Sequence, residues 1–131
     1  MTPALILCDP QVGAIRIVAL TLLDRLVVAL HRAGCQPIHI VCAGEVPSLK
    51  RSQRLGIPTR ILSQRPVLLE PTLVADCRML VHAADVRAVL AGQGRLVTST
   101  GEPLPLGVLN SLEPGWPAAL SLISRWPASS V

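Results

Sequence analysis

Phenylalanine and tyrosine are absent from this sequence, and tryptophan occurs only at Trp116 and Trp126. Half of the 131 residues are nevertheless hydrophobic, so the core must be aliphatic, built from Leu, Val, Ile and Ala. Such a composition suits strands buried on both faces, which read as near-continuous Val/Ile/Leu runs. Lysine is almost missing too: eleven arginines and Lys50 carry the basic charge, and the net charge is +4. A positive surface favours an anionic partner such as a nucleotide or an acidic membrane. With no aromatic interleaving and no dense basic run, dedicated nucleic-acid binding is disfavoured, and a solubilising surface is the simpler account of the charge. Cys8, Cys35, Cys42 and Cys77 form no C-x-x-C pair, and no histidine stands at a zinc-motif spacing from them. Cys8, Cys42 and Cys77 fall in or beside apolar, strand-like segments and read as small hydrophobes, which fits a reducing compartment. The N-terminal apolar run is short, has no basic flank and meets Asp9-Pro10, while Ala14 to Leu30 is interrupted by Arg16, Asp24 and Arg25. The expectation is a cytoplasmic chain with neither a signal peptide nor a transmembrane helix.

Ala4 to Cys8 is an apolar run that ends at a turn signal, as a central strand would. A loop from Asp9 to Arg16 follows. Thr21-Leu-Leu-Asp24 is a capping-box variant, and Leu22, Leu23, Leu26, Val27, Leu30 and Ala33 then recur at helical spacing up to Gly34, a C′ glycine. Asp24, Arg25, His31 and Arg32 take the other positions. Pro37 to Ala43 predicts a second strand, Pro47 to Leu55 a short basic helix closed by Gly56, Ile57 to Leu62 a third strand, and Thr72 to Asp76 a fourth. Gln64 to Pro71 reads as an irregular loop. Ala83 to Ala91 predicts a helix stopped by Gly92. Arg95 to Thr98 and Leu104 to Leu109 flank a hairpin turn, and a last short helix is expected between Pro117 and Trp126.

Strands alternating with helices imply βαβ crossovers. The expected fold is a single α/β domain over residues 1–131: three-layer α/β/α, Rossmann-like, mostly parallel, with a C-terminal hairpin and residues 116–131 as a tail. Ligands of such sheets sit at the carboxyl ends of the strands, here Cys8-Asp9, Ala43-Gly44 and Asp76. No G-x-G-x-x-G follows the first strand, which disfavours a generic dinucleotide binder.

The order of Thr21-Leu-Leu-Asp-Arg25, Arg32-Ala-Gly34, Ile38-His-Ile-Val-Cys42 with Gly44, Leu73-Val-Ala-Asp76 and Gly101-Glu-Pro-Leu-Pro-Leu-Gly107 resembles the nucleotidyltransferases of the GT-A type. The nearest likeness is to the cytidylyltransferase-like domains found beside CDP-alcohol phosphotransferases. It covers roughly residues 4 to 110 and is one of pattern and spacing. On this resemblance, the second half of that fold, which in the family supplies the acceptor pocket and a further metal carboxylate, is expected to be missing or much shortened. The resemblance implies transfer of a nucleotidyl group, CMP from CTP above all, to a polyol or sugar phosphate, with Mg²⁺ held by Asp76 and the nucleotide contacted around Gly13, Arg16 and Gly44. The family's first loop is glycine-rich and grips the triphosphate with an Arg and a Lys. Here Cys8-Asp-Pro-Gln-Val-Gly-Ala-Ile-Arg16 keeps one glycine and one arginine, adds Asp9 and Pro10, and has no lysine. Asp9 repels a triphosphate unless a metal intervenes, and Pro10 removes a donor.

Two functions follow: a nucleotide-binding domain with weak or lost catalysis, or a non-catalytic partner domain for a membrane CDP-alcohol phosphotransferase. Each residue also has a plainer role. Asp76 is either a metal ligand or a strand-end carboxylate capping the next turn. Gly13 and Arg16 either contact phosphate or shape a strand-to-helix loop, and Asp9 reads as a turn former. His31 reads as solvated and His39 as packed within a strand. His82 precedes a helix near the strand ends, with no nucleophile identifiable beside it. Lys50, Arg51 and Arg54 make a solvated basic face, with contact to an acidic partner as the rarer alternative. No set of catalytic residues is assigned.

Overall fold

The computed structural model describes residues 2–42, 44–64, 66–92, 95–97, 100 and 103–109. Its centre is β1 (Ala4–Cys8), whose aliphatic run is buried along almost its whole length. β1 pairs in parallel on both sides. On one flank Ala4 to Cys8 align with Ile38 to Cys42 of a second strand, and on the other Leu7 aligns with Asp76 at the end of a third. In chain order the elements after β1 are α1 (Pro10–Gly13), β2 (Arg16–Ile17), β3 (Leu20–Thr21), α2 (Leu22–Arg32), β4 (Ile38–Cys42), α3 (Lys50–Arg54), β5 (Thr59–Leu62), β6 (Thr72–Asp76), α4 (Ala83–Gly92), β7 (Arg95–Val97) and β8 (Pro103–Leu109). The main sheet runs β5-β4-β1-β6-β8-β7. β5, β4, β1 and β6 are mutually parallel, and β8 runs antiparallel between β6 and β7.

The expected C-terminal hairpin is therefore present as the β7–β8 pair. β8 carries Pro103 and Pro105, which have no N–H to give a ladder. Its pairing with β6 uses Leu106 to Leu109, beyond both prolines, and its pairing with β7 has a register irregularity between Arg95 and Val97.

α2 forms where the periodicity places it. The Thr21 hydroxyl accepts from the Asp24 N–H at 3.1 Å, and Leu23, Leu26, Val27 and Leu30 are buried. The helix closes in a Schellman motif. Gly34, at φ +92°, donates to the His31 carbonyl and Cys35 donates to the Leu30 carbonyl, both at 3.0 Å. α4 buries Val86 and Val89 beside α2, and the Arg87 guanidinium donates to the Arg32 carbonyl at 3.2 Å. That places a cation at the carbonyl end of α2, where the helix dipole favours it.

Four local expectations change. Asp9 to Arg16 is not a loop throughout: Asp9 caps the four-residue α1, and an unforeseen hairpin joins β2 to β3. The basic helix starts at Lys50 rather than Pro47, and the third strand starts at Thr59, with Ile57 already in the core. Asp24, expected on the polar side of α2, is buried. Its carboxylate accepts from the Arg51 N–H and the Ser52 N–H, each at 2.9 Å, and from the Ser52 hydroxyl at 2.6 Å. Leu49, the residue before α3, offers no side-chain cap. Asp24 thus supplies from another helix the acceptors that the first amides of α3 lack.

Ala4, Ile6, Ile38, Ile40, Leu73 and Ala75 face the helices, whereas Leu5, Leu7, Val74 and Leu109 form the opposite apolar face with Leu62 and Leu68 against it. The architecture is mixed α/β with a mostly parallel sheet, and the described helices pack on the first face. The helix expected between Pro117 and Trp126 and the tail at 116–131 lie outside the described residues. Among the described residues no helix is long and apolar enough to cross a membrane.

Candidate functional site at the carboxyl ends of the strands

From β1 the chain steps outward to β4 and β5, then returns to β6 on the other flank of β1. Connections that diverge from two neighbouring strands leave a crevice at their carboxyl ends, the usual ligand position in an open α/β sheet. Here that point lies between Cys8-Asp9 and Asp76-Cys77. The two ends are tied together: the Cys77 N–H donates to the Leu7 carbonyl at 3.1 Å, and the Asp9 N–H to the Cys77 sulfur at 3.3 Å.

The segment after β1 spends its backbone donors internally. Asp9 Oδ1 accepts from the amides of Gln11 at 2.9 Å and Val12 at 3.4 Å. Gly13 donates to the Asp9 carbonyl, Ala14 to Pro10 and Ile15 to Val12, at 2.8, 3.2 and 3.1 Å. Pro10 has no donor, so every amide from Gln11 to Ile15 already has a protein acceptor. A phosphate cradle needs such amides free. Gly13 is buried, and a Cβ there would stand 2.9 Å from Cys8 Sγ and 3.1 Å from Pro47 Cγ. Its missing side chain lets α1 close over the end of β1.

Arg16 is exposed on β2, with Nη1 donating to the Ala19 carbonyl at 3.2 Å. Gly44 is exposed at φ +134°, and a Cβ on it would meet Pro10 Cγ at 3.4 Å, which places the end of β4 beside the start of α1. Asp76 is buried, and its Oδ1 accepts from the Arg78 N–H at 2.9 Å and from Arg78 Nε at 3.2 Å. This is the turn-capping role. Oδ2 receives no hydrogen bond among the described residues. Asp76 thus stands at the β1–β6 divergence, Gly44 lies beyond β1 beside the start of α1, Gly13 is packed at the end of α1 against Cys8, and Arg16 belongs to the small hairpin. Among the described residues no three His, Cys, Asp or Glu side chains are grouped to hold a metal ion. His82 is exposed, and its carbonyl accepts the first amide bonds of α4, from Asp85 and Val86.

The sheet register brings three of the cysteines side by side. Cys42 aligns with Cys8, and Cys77 follows the Leu7–Asp76 pair by one residue, so three thiols lie in a row across β4, β1 and β6 on the helix-facing side. All are free. The hydrogen bond between Cys8 and Cys77 pushes the Cys8 thiol up, and burial adds to it. The same bond, helped by the Asp9 backbone, holds Cys77 below the usual thiol value although burial and the Asp76 and Asp9 charges oppose it. Each cysteine closes or directly follows a strand, and that shared position is the signal in the sequence that joins them.

No family model matches the chain, and no curated protein matches it.

Proposed function

We propose that this chain is a nucleotidyltransferase-like domain of the GT-A type that binds a nucleotide, CTP first among the candidates, with catalysis weak or lost. The observation that carries the binding reading is the divergence of the chain at β1 and β6, which sets the carboxyl ends bearing Asp9 and Asp76 side by side. Asp76 Oδ2 would hold Mg²⁺, whose charge would offset that of the nucleotide phosphates. The occupied amides from Gln11 to Ile15 argue against efficient transfer, since nothing in that segment is left to grip a triphosphate. The same reading includes a three-layer α/β/α arrangement: the apolar face of Leu5, Leu7 and Val74 opposite the helices is what a parallel sheet covered on both sides presents. Four free thiols support a cytoplasmic, reducing location.

The test is thermal stabilisation by CTP and other nucleoside triphosphates, with and without Mg²⁺. Saturable, metal-dependent stabilisation by CTP, lost in Asp76→Asn, is the expected outcome. No shift with any nucleotide turns the assignment to the second function, a non-catalytic partner domain for a membrane CDP-alcohol phosphotransferase. The closed α1 segment favours that alternative, and it predicts that Asp76→Asn leaves co-purification with the phosphotransferase unchanged.

A further inference from the structure

A cavity of about 440 Å³ lies between the outer face of α2, the first turn of α3 and the segment leading into α4. Neither Asp9 nor Asp76 lines it, so it is separate from the strand-end crevice. Its walls carry Arg25, Arg32, Arg51 and His82 over an apolar floor that includes Val28 and Leu80, and no carboxylate is among the lining residues.

The arrangement follows from helix geometry. Arg25, Val28, Ala29 and Arg32 are spaced i, i+3, i+4 and i+7, so they share one stripe of α2. Arg25 and Arg32 are then separated by about 10 Å along the axis. Arg25 is oriented by donating through Nε and Nη2 to the Ile17 carbonyl, which leaves its Nη1 for another acceptor. Arg51 enters from the opposite wall, its backbone held by the buried Asp24 carboxylate. Among the described residues the Arg32 and Arg51 guanidiniums make no hydrogen bond or ion pair, the one salt bridge being Arg78–Asp76. Three arginine side chains thus line one cavity with no carboxylate among its lining residues, and an anion bound there offsets their like charge. Guanidinium forks match phosphate oxygens in geometry as well as charge. The volume is that of a small-molecule site rather than a single-ion site, and the apolar floor gives an organic body somewhere to rest.

We propose that this cavity binds a small organic phosphate ester, its phosphate held by Arg25, Arg32 and Arg51 with His82 at the rim and its organic part against Val28 and Leu80. The site goes beyond the nucleotide reading of the strand ends and does not depend on it.

The experiment is an amide NMR titration of the full chain with pyrophosphate and with CMP, both without metal and at constant ionic strength. The expected result is saturable shifts centred on Ala29, His82 and Ala83, with affinity falling roughly tenfold or more in Arg32→Gln/Arg51→Gln. Both side chains are exposed, so the double variant folds, and its unperturbed spectrum in buffer verifies this. Arg54→Gln, on α3 but outside the cavity, and Asp76→Asn should both titrate like the parent chain. Non-saturating shifts, or an equal loss in Arg54→Gln, would mean general charge attraction and overturn the site. Binding lost in Asp76→Asn but kept in the double arginine variant would belong to the strand ends and overturn it equally.

Discussion

Asp24 and Asp76 are both buried carboxylates, at 1% and 6% exposure, yet the molecule uses them differently. Asp24, on α2, accepts three hydrogen bonds from α3, which occupy both of its oxygens. Asp76, at the end of β6, accepts through Oδ1 alone, and both bonds come from one residue two positions away. A buried charge is tolerated when it is fully hydrogen-bonded. On that measure the α2–α3 junction is finished as structure, while the end of β6 retains acceptor capacity. The contrast separates a carboxylate that builds the fold from one that has an oxygen to offer.

The largest effect should come from breaking the finished side. Asp24→Ala leaves the Arg51 and Ser52 amides and the Ser52 hydroxyl without their acceptor and is expected to cost about 3 kcal/mol in urea unfolding. Asp76→Asn, which keeps an Oδ1 acceptor, should cost far less, and equal losses would erase the distinction between the two carboxylates. Next in size is an alkaline effect at the far end of α2. Burial pushes the Cys35 thiol up to about 11 from 9.0. A thiol harder to ionise in the folded chain stabilises it fully below pH 9, and that contribution is lost as pH rises through 9 towards 11. Cys35→Ala should therefore flatten the stability profile over that window, by at most roughly 2–3 kcal/mol, and an unchanged slope would assign the alkaline loss elsewhere. The smallest effect is at the strand ends. Gly13→Ala forces a methyl against Cys8 Sγ and is expected to cost about 1–2 kcal/mol. If Gly13 serves packing alone, CTP affinity stays constant when compared at equal fractions folded, whereas a parallel loss of affinity would return it to the nucleotide site.

The regular elements were legible where the signal is local. Thr21, the 3.6-residue recurrence of aliphatic residues and Gly34 mark both ends of α2, and Thr72 to Asp76 appears as one apolar run bounded by a carboxylate. The cue for α1 is ambiguous: Asp9 followed by Pro10 is a turn signal and equally an N-cap followed by proline at the first helical position. The β2–β3 hairpin offered no cue, since Val18 and Ala19 take positive φ in its turn, a conformation that neither residue type favours. Positions set by partners distant in sequence could not be read from one strand or one helix. The service of Asp24 to α3, the alignment of Cys42, Cys8 and Cys77, and the sharing of one cavity lining by Arg51, Arg25 and Arg32 all depend on how elements dock. Pattern alone marks Gly13, Arg16, Gly44 and Asp76, whereas docking places Arg16 on the β2–β3 hairpin and engages the amides around Gly13.

The bond network of Asp24 also sets an order of events. α3 has only five residues, too few to persist as a helix alone, because the first turn fixes several dihedrals for a single hydrogen bond. Its nucleus is borrowed: the acceptors that start it are carried by α2 and arrive only when α2 has formed and turned Asp24 inward. α3 is therefore expected to form after α2 and to fray before it. Whatever Arg51 touches is present only while α2 holds its neighbour in place.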